Sequence, residues 1–296
     1  GATPEFVDID KKSYTIDPNR LEDKINQLLL KKKKIKAIIG VDFAGHPCDW
    51  KSLKEISKKY SLKLVNDNCH ALGASMNQSK KYALKYADIV TQSYHPVKHI
   101  TTGEGGAILT NDKKIYKKSA MLRTHGVVKK AEWMETKGAW FYEMHSLGFN
   151  YRITDFQCAL GISQLLKLDN FVEKRRDIAR EYDQNFENNH LLHTPHLHKQ
   201  INHSYHLYPL LIDFERIEIS KIEFFQKTRN LGINFQVHYI PIFYQPYYKN
   251  TFNFNLDEFP NAIEFYHKEV SLPIYPSLHK DHVNRTIEII NEEVYK

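Results

Sequence analysis

The chain has 296 residues, 42% of them hydrophobic and 26% charged, with 42 Lys+Arg against 35 Asp+Glu. At roughly 100–200 residues per domain this is one large domain or two moderate ones with a sizeable core, which excludes a disordered chain. The formal net charge of +7 favours anionic partners, phosphorylated small molecules included, because the summed field concentrates them.

The longest apolar runs, AIIGV at 37–41 and INQLLL at 25–30, fall far short of the ~20 residues that cross a bilayer. Nothing at the start reads as a cleavable leader. Cys48, Cys69 and Cys158 are odd in number and lack CxxC spacing, so neither a disulfide framework nor a zinc ribbon is indicated. A reduced, cytoplasmic setting with no membrane partner is expected.

In chain order, FVDI (6–9) reads as a strand, and after Pro18 the residues Leu21, Ile25, Leu28 and Leu29 recur at helical spacing. KAIIGVDF (36–43) reads as a buried strand. Asp49 can cap a helix whose inner face is Leu53, Ile56 and Tyr60. Strands LKLVN (62–66), DIVTQS (88–93) and GAILTN (106–111) follow. This alternation predicts βαβ units on a mostly parallel sheet, an α/β fold. From Thr154 to Phe186 no proline intervenes, and Phe156, Ala159, Leu160, Ser163 and Leu166 form one stripe, predicting a single long helix. Beyond it, strands around 205–213 and 233–239 alternate with helices near 220–231, 259–270 and 279–294. The expected division is a large domain over 1–184, including the connecting helix, and a smaller α+β domain over 185–296.

The chemistry concentrates between 62 and 106. Asp67 follows one hydrophobic strand and Lys98 the next, so both fall past the carboxyl ends of strands in one sheet, where α/β folds bind ligands. Pyridoxal phosphate (PLP) uses such a pair: a lysine for its Schiff base and an acid to keep the pyridine nitrogen protonated. A free lysine, with a pKa of about 10.4, is a poor nucleophile at neutral pH. The site must lower that value by burial or by nearby cations such as His95 and His99. Ser93 is placed to bond a phosphate oxygen, His70 to cover the ring or meet its phenolic oxygen, and Gly103, Gly105 and Gly106 to form a tight turn. Each residue also has a plainer reading: Asp67 as a turn cap, Lys98 as a solvated charge, GEGG as a hairpin.

Two other features compete. His193, His196, His198, His203 and His206 suggest a metal site, but no HExxH or Cys/His ligand spacing accompanies them, and no metal is expected. KKKKIK (31–36) could be a nucleic-acid patch, yet it follows a helix, where cations complement the helix dipole. No nucleic-acid partner is expected.

The segments NDNCHALGA, SYHPVKHITTGEGGAILTND and GFNYRITDFQCALGISQL together resemble the DegT-type sugar aminotransferases of PLP fold type I. VDFAGHPCDW and HYIPIFYQPYYK look closest to the subgroup that aminates a UDP-linked 4-keto-6-deoxy sugar in pseudaminic acid synthesis. The resemblance spans the whole chain. It implies a PLP-bound catalytic Lys98, Asp67 on the pyridinium nitrogen, His70 at the ring and Ser93 on the phosphate. It further implies a homodimer in which Asn150 reaches the neighbouring subunit's cofactor, and Arg152 and His238 near the nucleotide sugar. For Arg152 a helix-entry ion pair, and for His238 a packed strand histidine, are equal alternatives.

Two departures stand out. Asn66 replaces the family's usual acidic residue, and Asn68 and Cys69 replace small ones. The family also has a segment ahead of GATPEFVDID that supplies backbone N–H groups to the cofactor phosphate. From this, weaker cofactor retention and an incomplete large domain are expected. The activity expected is amino transfer from L-glutamate to a nucleotide sugar. The alternatives are a PLP-dependent sugar dehydratase, against which Lys98 argues, and a truncated non-catalytic homologue acting as a binding subunit.

Overall fold

In the computed structural model, which describes residues 1–294, the first helix is α1 (Pro18–Leu30). Asp17 caps it by accepting the N–H groups of Asn19 and Arg20, and Leu21, Ile25 and Leu28 form its buried face. Residues 6–9 are not a strand, and Ile9 bridges Ile16 alone. Asp10 captures the amides of Lys12 and Ser13 and turns the segment back on itself.

The central sheet grows from β1 (Ala37–Val41), α2 (Trp50–Lys59), β2 (Lys63–Asp67), β3 (Ser75–Met76), α3 (Tyr82–Tyr86), β4 (Ile89–Ser93) and β5 (Gly106–Leu109). Its order is β1-β2-β4-β5, with the first three parallel and β5 antiparallel to β4. Val41 registers with Asp67 and Asp67 with Thr91, so the parallel strands end together at one edge. Asp49 caps α2, which lies close on the sheet. A Cβ on Gly40 would stand 2.9 Å from the Trp50 ring. Contrary to expectation, β1 is covered on one face only: Ile38 is buried under α2, whereas Ile39 is 60% exposed. The core here joins Leu21, Ile25, Ile38, Trp50, Leu53, Leu64, Tyr82 and Val90.

After β5 come α4 (Lys113–Arg123), β6 (Val127–Val128), α5 (Ala131–Thr136) and β7 (Glu143–Met144). The single helix expected from Thr154 is two: α6 (Asp155–Leu165), entered through a Thr154–Gln157 capping box, and α7 (Leu168–Phe186). They break because they serve different partners. No residue of α6 is buried, and Phe156 is 90% and Leu166, just past its end, 85% exposed. Leu168 and Val172 of α7 instead pack on Ile100, and Tyr182 and Phe186 enter a second core.

The chain continues through β8 (Leu192–His193), β9 (Ile201–Asn202), β10 (Tyr208–Ile212), α8 (Lys221–Asn230), α9 (Pro246–Thr251), α10 (Pro260–Lys268), β11 (Glu269–Leu272) and α11 (Lys280–Val294), of which β8, β10, α8, β11 and α11 contribute to that second core. In its sheet β10 lies between β8 and β11, antiparallel to both. Tyr208, Leu210, Ile212, Phe224, Val270 and Ile290 fill the interior. The strand expected at 233–239 reduces to one bridge, Gln236 to Ser271, and the helix expected to 270 stops at Lys268, where Val270 and its neighbours pair with β10. The two halves are stitched together. β3 pairs with β9, Ser204 and Leu207 donate N–H bonds to Gly45 and Ala44, and the buried Arg175 guanidinium donates to the carbonyls of Tyr205, His206 and Ile274.

Candidate active site

Asp67 is the last residue of β2. Its Oδ1 accepts the Cys69 N–H at 3.1 Å and stands 3.5 Å from the Thr91 hydroxyl. Below it Asp42, fully buried at the end of β1, accepts five donors: the Cys48 N–H, Trp50 Nε1–H, the Asn66 and Asn68 amides, and the Tyr82 hydroxyl. Burial pushes the Asp42 carboxyl up and these donors oppose it. An amide at Asn66 therefore has a reason: an acid there would place a second carboxylate beside a buried first. Asn68 also accepts from Gln92 of β4, fixing both neighbours of Asp67.

Lys98 sits in the connection between β4 and β5, half-buried. Tyr94 and Thr102 hold the connection closed, Tyr94 donating its N–H to Gly105 and accepting that of Thr102. Gly105 has φ +157°, and a Cβ there would lie 2.3 Å from Thr102 Oγ1. Gln157 at the start of α6 braces the turn by donating to the Glu104 carbonyl at 2.8 Å. Burial lowers the pKa of Lys98, against the opposing pull of Cys69 and Asp67. The expectation that His99 acts as a cationic neighbour needs correction. His99 is buried, pushed down to about 3, and therefore neutral, with its Nε2 3.0 Å from the Ser204 carbonyl. Desolvation lowers the lysine.

His70 is buried with its ring 4.2 Å from that of His206 and 6.2 Å from Tyr239. Burial, and then the charge of Lys98, push it down to about 3, and its Nδ1 has no partner among the described residues. Ser93 closes β4, its Oγ taking one long contact from the His95 N–H at 3.4 Å. His238 is half-buried, its Nδ1 2.8 Å from Ser271 Oγ, and burial and Lys98 lower its pKa. It lies outside any strand. Lys98 thus shares an electrostatic neighbourhood with Asp67, His70 and His238. Asn150 and Arg152 are exposed at the surface: Asn150 is tied to Thr124 by a backbone bridge, and Arg152 forms no ion pair among the described residues.

Of the histidine-rich tract, His203 and His206 are buried. Among the described residues no group of three or more His, Cys, Asp or Glu could hold a metal ion, and no helix is long and apolar enough to cross a membrane. Lys31–Lys34 lie exposed beyond α1. Sequence reasoning passed over Asp42 and Glu269. Asp42 follows a hydrophobic strand as Asp67 does, and the same rule would have found it.

The residues fit a pyridoxal group: a lysine made easier to deprotonate, a carboxylate on the adjoining strand end, a serine hydroxyl with bonding capacity to spare, and a buried imidazole nitrogen lacking a partner. The chain is 40% identical over 299 residues to the UDP-4-amino-4,6-dideoxy-N-acetyl-beta-L-altrosamine transaminase of Campylobacter jejuni, covering 100% of this chain and 75% of that protein. Its fold matches Helicobacter pylori PseC, an aminotransferase involved in pseudoaminic acid biosynthesis, with a TM-score of 0.88 at 33% identity over 99% of this chain and 74% of that one. It also matches the Streptococcus pneumoniae protein Spr1654 in its PMP form, with a TM-score of 0.88 at 28% identity over 100% and 77% of the two chains. Spr1654 is solved in a PLP form as well. With a family model aligned over residues 1–291, the chain belongs to the DegT/DnrJ/EryC1/StrS aminotransferase family and works with pyridoxal phosphate.

Proposed function

We propose that this aminotransferase moves an amino group from L-glutamate to the keto carbon of a UDP-linked 4-keto-6-deoxy-N-acetylhexosamine, in pseudaminic acid or a related surface-glycan synthesis. The observation that carries the reading is Lys98, its pKa lowered by burial, in the electrostatic neighbourhood of Asp67, in a chain 40% identical to an altrosamine transaminase. The net charge of +7 suits a pyrophosphate-bearing substrate.

Bound PLP supplies an electron sink for the negative charge left when a proton leaves the carbon bearing nitrogen. Asp67 holds a proton on the pyridine nitrogen, an electrostatic contribution that grows as that charge develops. Lys98 Nζ carries the mobile proton, and desolvation makes it available as a base. Ser93 Oγ would donate to the phosphate, and His70 would lie against the ring. Asn150 acts across a homodimer, toward the partner's cofactor, and Arg152 acts toward the nucleotide sugar. Exposed Trp140, Leu147, Phe149, Tyr151, Phe156 and Leu166 around them supply the apolar surface such a dimer buries. We place the domain boundary near residue 184, inside α7, whose two ends serve the two cores, and the enzyme in the cytoplasm, where Cys48, Cys69 and Cys158 stay reduced.

Mass spectrometry after incubation with PLP, L-glutamate and the UDP-4-keto sugar tests the reading. A 4-amino product is expected. Bound cofactor with no transfer refutes it.

A further inference from the structure

His238 carries a ring of hydrogen bonds that its neighbours make directional. Its Nδ1 lies 2.8 Å from Ser271 Oγ, Ser271 Oγ donates to Glu269 Oε1, and Glu269 Oε2 accepts the backbone N–H of His238 at 3.0 Å. Glu269 and Ser271 are two residues apart on β11, so their side chains leave the strand on one face. Glu269 is fully buried and interacts with Lys221, whose Nζ donates to the Tyr266 carbonyl at 2.7 Å.

A serine hydroxyl has one proton. Above about pH 7, where Glu269 is ionised, that proton goes to the carboxylate, so Ser271 Oγ can only accept from the imidazole, which requires the proton of neutral His238 to sit on Nδ1. Nε2 then carries a lone pair, and no described residue engages it. Burial and the charge of Lys98 favour the neutral ring. A lone pair repels a phosphate or a carboxylate and is complementary to a hydroxyl.

We propose that Glu269 and Ser271 are positioning residues that lock His238 in its Nδ1–H tautomer, so that Nε2 accepts a hydrogen bond from a hydroxyl of the sugar substrate. The inference rests on His238 facing the nucleotide sugar, as in the proposed function, and it narrows the contact to the sugar hydroxyls instead of the pyrophosphate.

The tautomer can be read without turnover. Long-range 1H–15N correlation at pH 8 of the 15N-histidine-labelled, PLP-bound enzyme, with the His238 signals assigned by their loss in His238→Gln, is expected to show protonated Nδ1 and unprotonated Nε2. In Glu269→Gln a single carbonyl oxygen replaces two acceptors and the new amide can donate to Ser271, reversing the chain, so His238 is expected to shift toward Nε2–H. Ser271→Ala is expected to do the same and to raise KM for the UDP-4-keto sugar about fivefold, with kcat and cofactor content little changed. Ser271→Thr, which keeps the hydroxyl, should preserve the wild-type tautomer and KM. An Nε2–H tautomer in the unsubstituted enzyme overturns the proposal even if no variant folds, as does an unchanged tautomer in Ser271→Ala. Failure to aminate any UDP-4-keto sugar would sink the proposed function while leaving the spectroscopic result to decide the relay.

Discussion

Lowering the pH should unfold this protein through its interior histidines. His46, His70, His99, His203 and His206 are each at most 9% exposed. Burial pushes His46 down to about 4 and His70 and His99 to about 3, and it depresses His203 and His206 as well. An unfolded histidine titrates near 6.5. Between these values the unfolded chain binds more protons than the folded one, so stability falls as pH falls through 6.5. From pH 7 to pH 5 each buried histidine costs about 2 kcal/mol, and five cost about 10. Glu269 opposes them. Burial pushes its carboxyl up to about 7, so the folded state takes up one proton that the unfolded chain does not until about 4.5, returning about 2 kcal/mol. The net loss from these six groups, about 8 kcal/mol, compares with the whole stability of a typical domain, about 5–15 kcal/mol. Urea titrations followed by circular dichroism at pH 7, 6, 5.5 and 5 should show the midpoint collapsing across that range. In His46→Gln the slope should flatten by about 1.4 kcal/mol per pH unit, one proton's share. A midpoint that stays level from pH 7 to 5 would refute the premise that these rings stay neutral when folded.

Three further outcomes are expected. Lys98→Ala should abolish amino transfer and the visible absorbance of the lysine-bound cofactor while leaving the circular dichroism spectrum intact, and a variant that keeps that absorbance would exclude Lys98 as the attachment point. Asp42→Ala should cost about 3–5 kcal/mol by stranding the Asn66, Asn68, Trp50 and Tyr82 donors, measured as a drop in urea midpoint, and a loss under about 1 kcal/mol would show that water takes over the network. Phe156→Glu combined with Leu166→Lys should convert a dimer to monomer in light scattering, and an unchanged dimer mass would place the interface elsewhere.

The alternation of β-branched runs with amphipathic helices made the α/β sheet legible, and the rule that ligands gather at the carboxyl ends of strands singled out Asp67 and Lys98 before any coordinates. The break at Leu166–Lys167 was not legible, because no proline or glycine marks it. It follows from where the two helices find their partners, which is tertiary information. Phe156, Ala159, Leu160, Ser163 and Leu166 recur at helical spacing, but periodicity cannot say whether such residues meet their own core or a second chain. Histidine is ambiguous in the same way: His203 and His206, in a tract that looks polar and metal-binding, pack beside Tyr205 and His70. Glu269 was hidden for a different reason. Its neighbours YHKEV read as the end of a helix, and only pairing with β10 turns it inward.

The seam between the halves bears on what binding costs. A cleft that closes by swinging two bodies together must spend part of each ligand's affinity on ordering them. Here the β3–β9 pairing, the amides of Ser204 and Leu207, and the three carbonyls on Arg175 already hold the two walls in register. On the proposed function, the wall carrying Asp67 and Lys98 and the wall carrying His238 would therefore meet a substrate as a preassembled mould. Discrimination between sugars then falls to the fit of individual hydroxyls, not to whether the ligand is large enough to pull a lid shut.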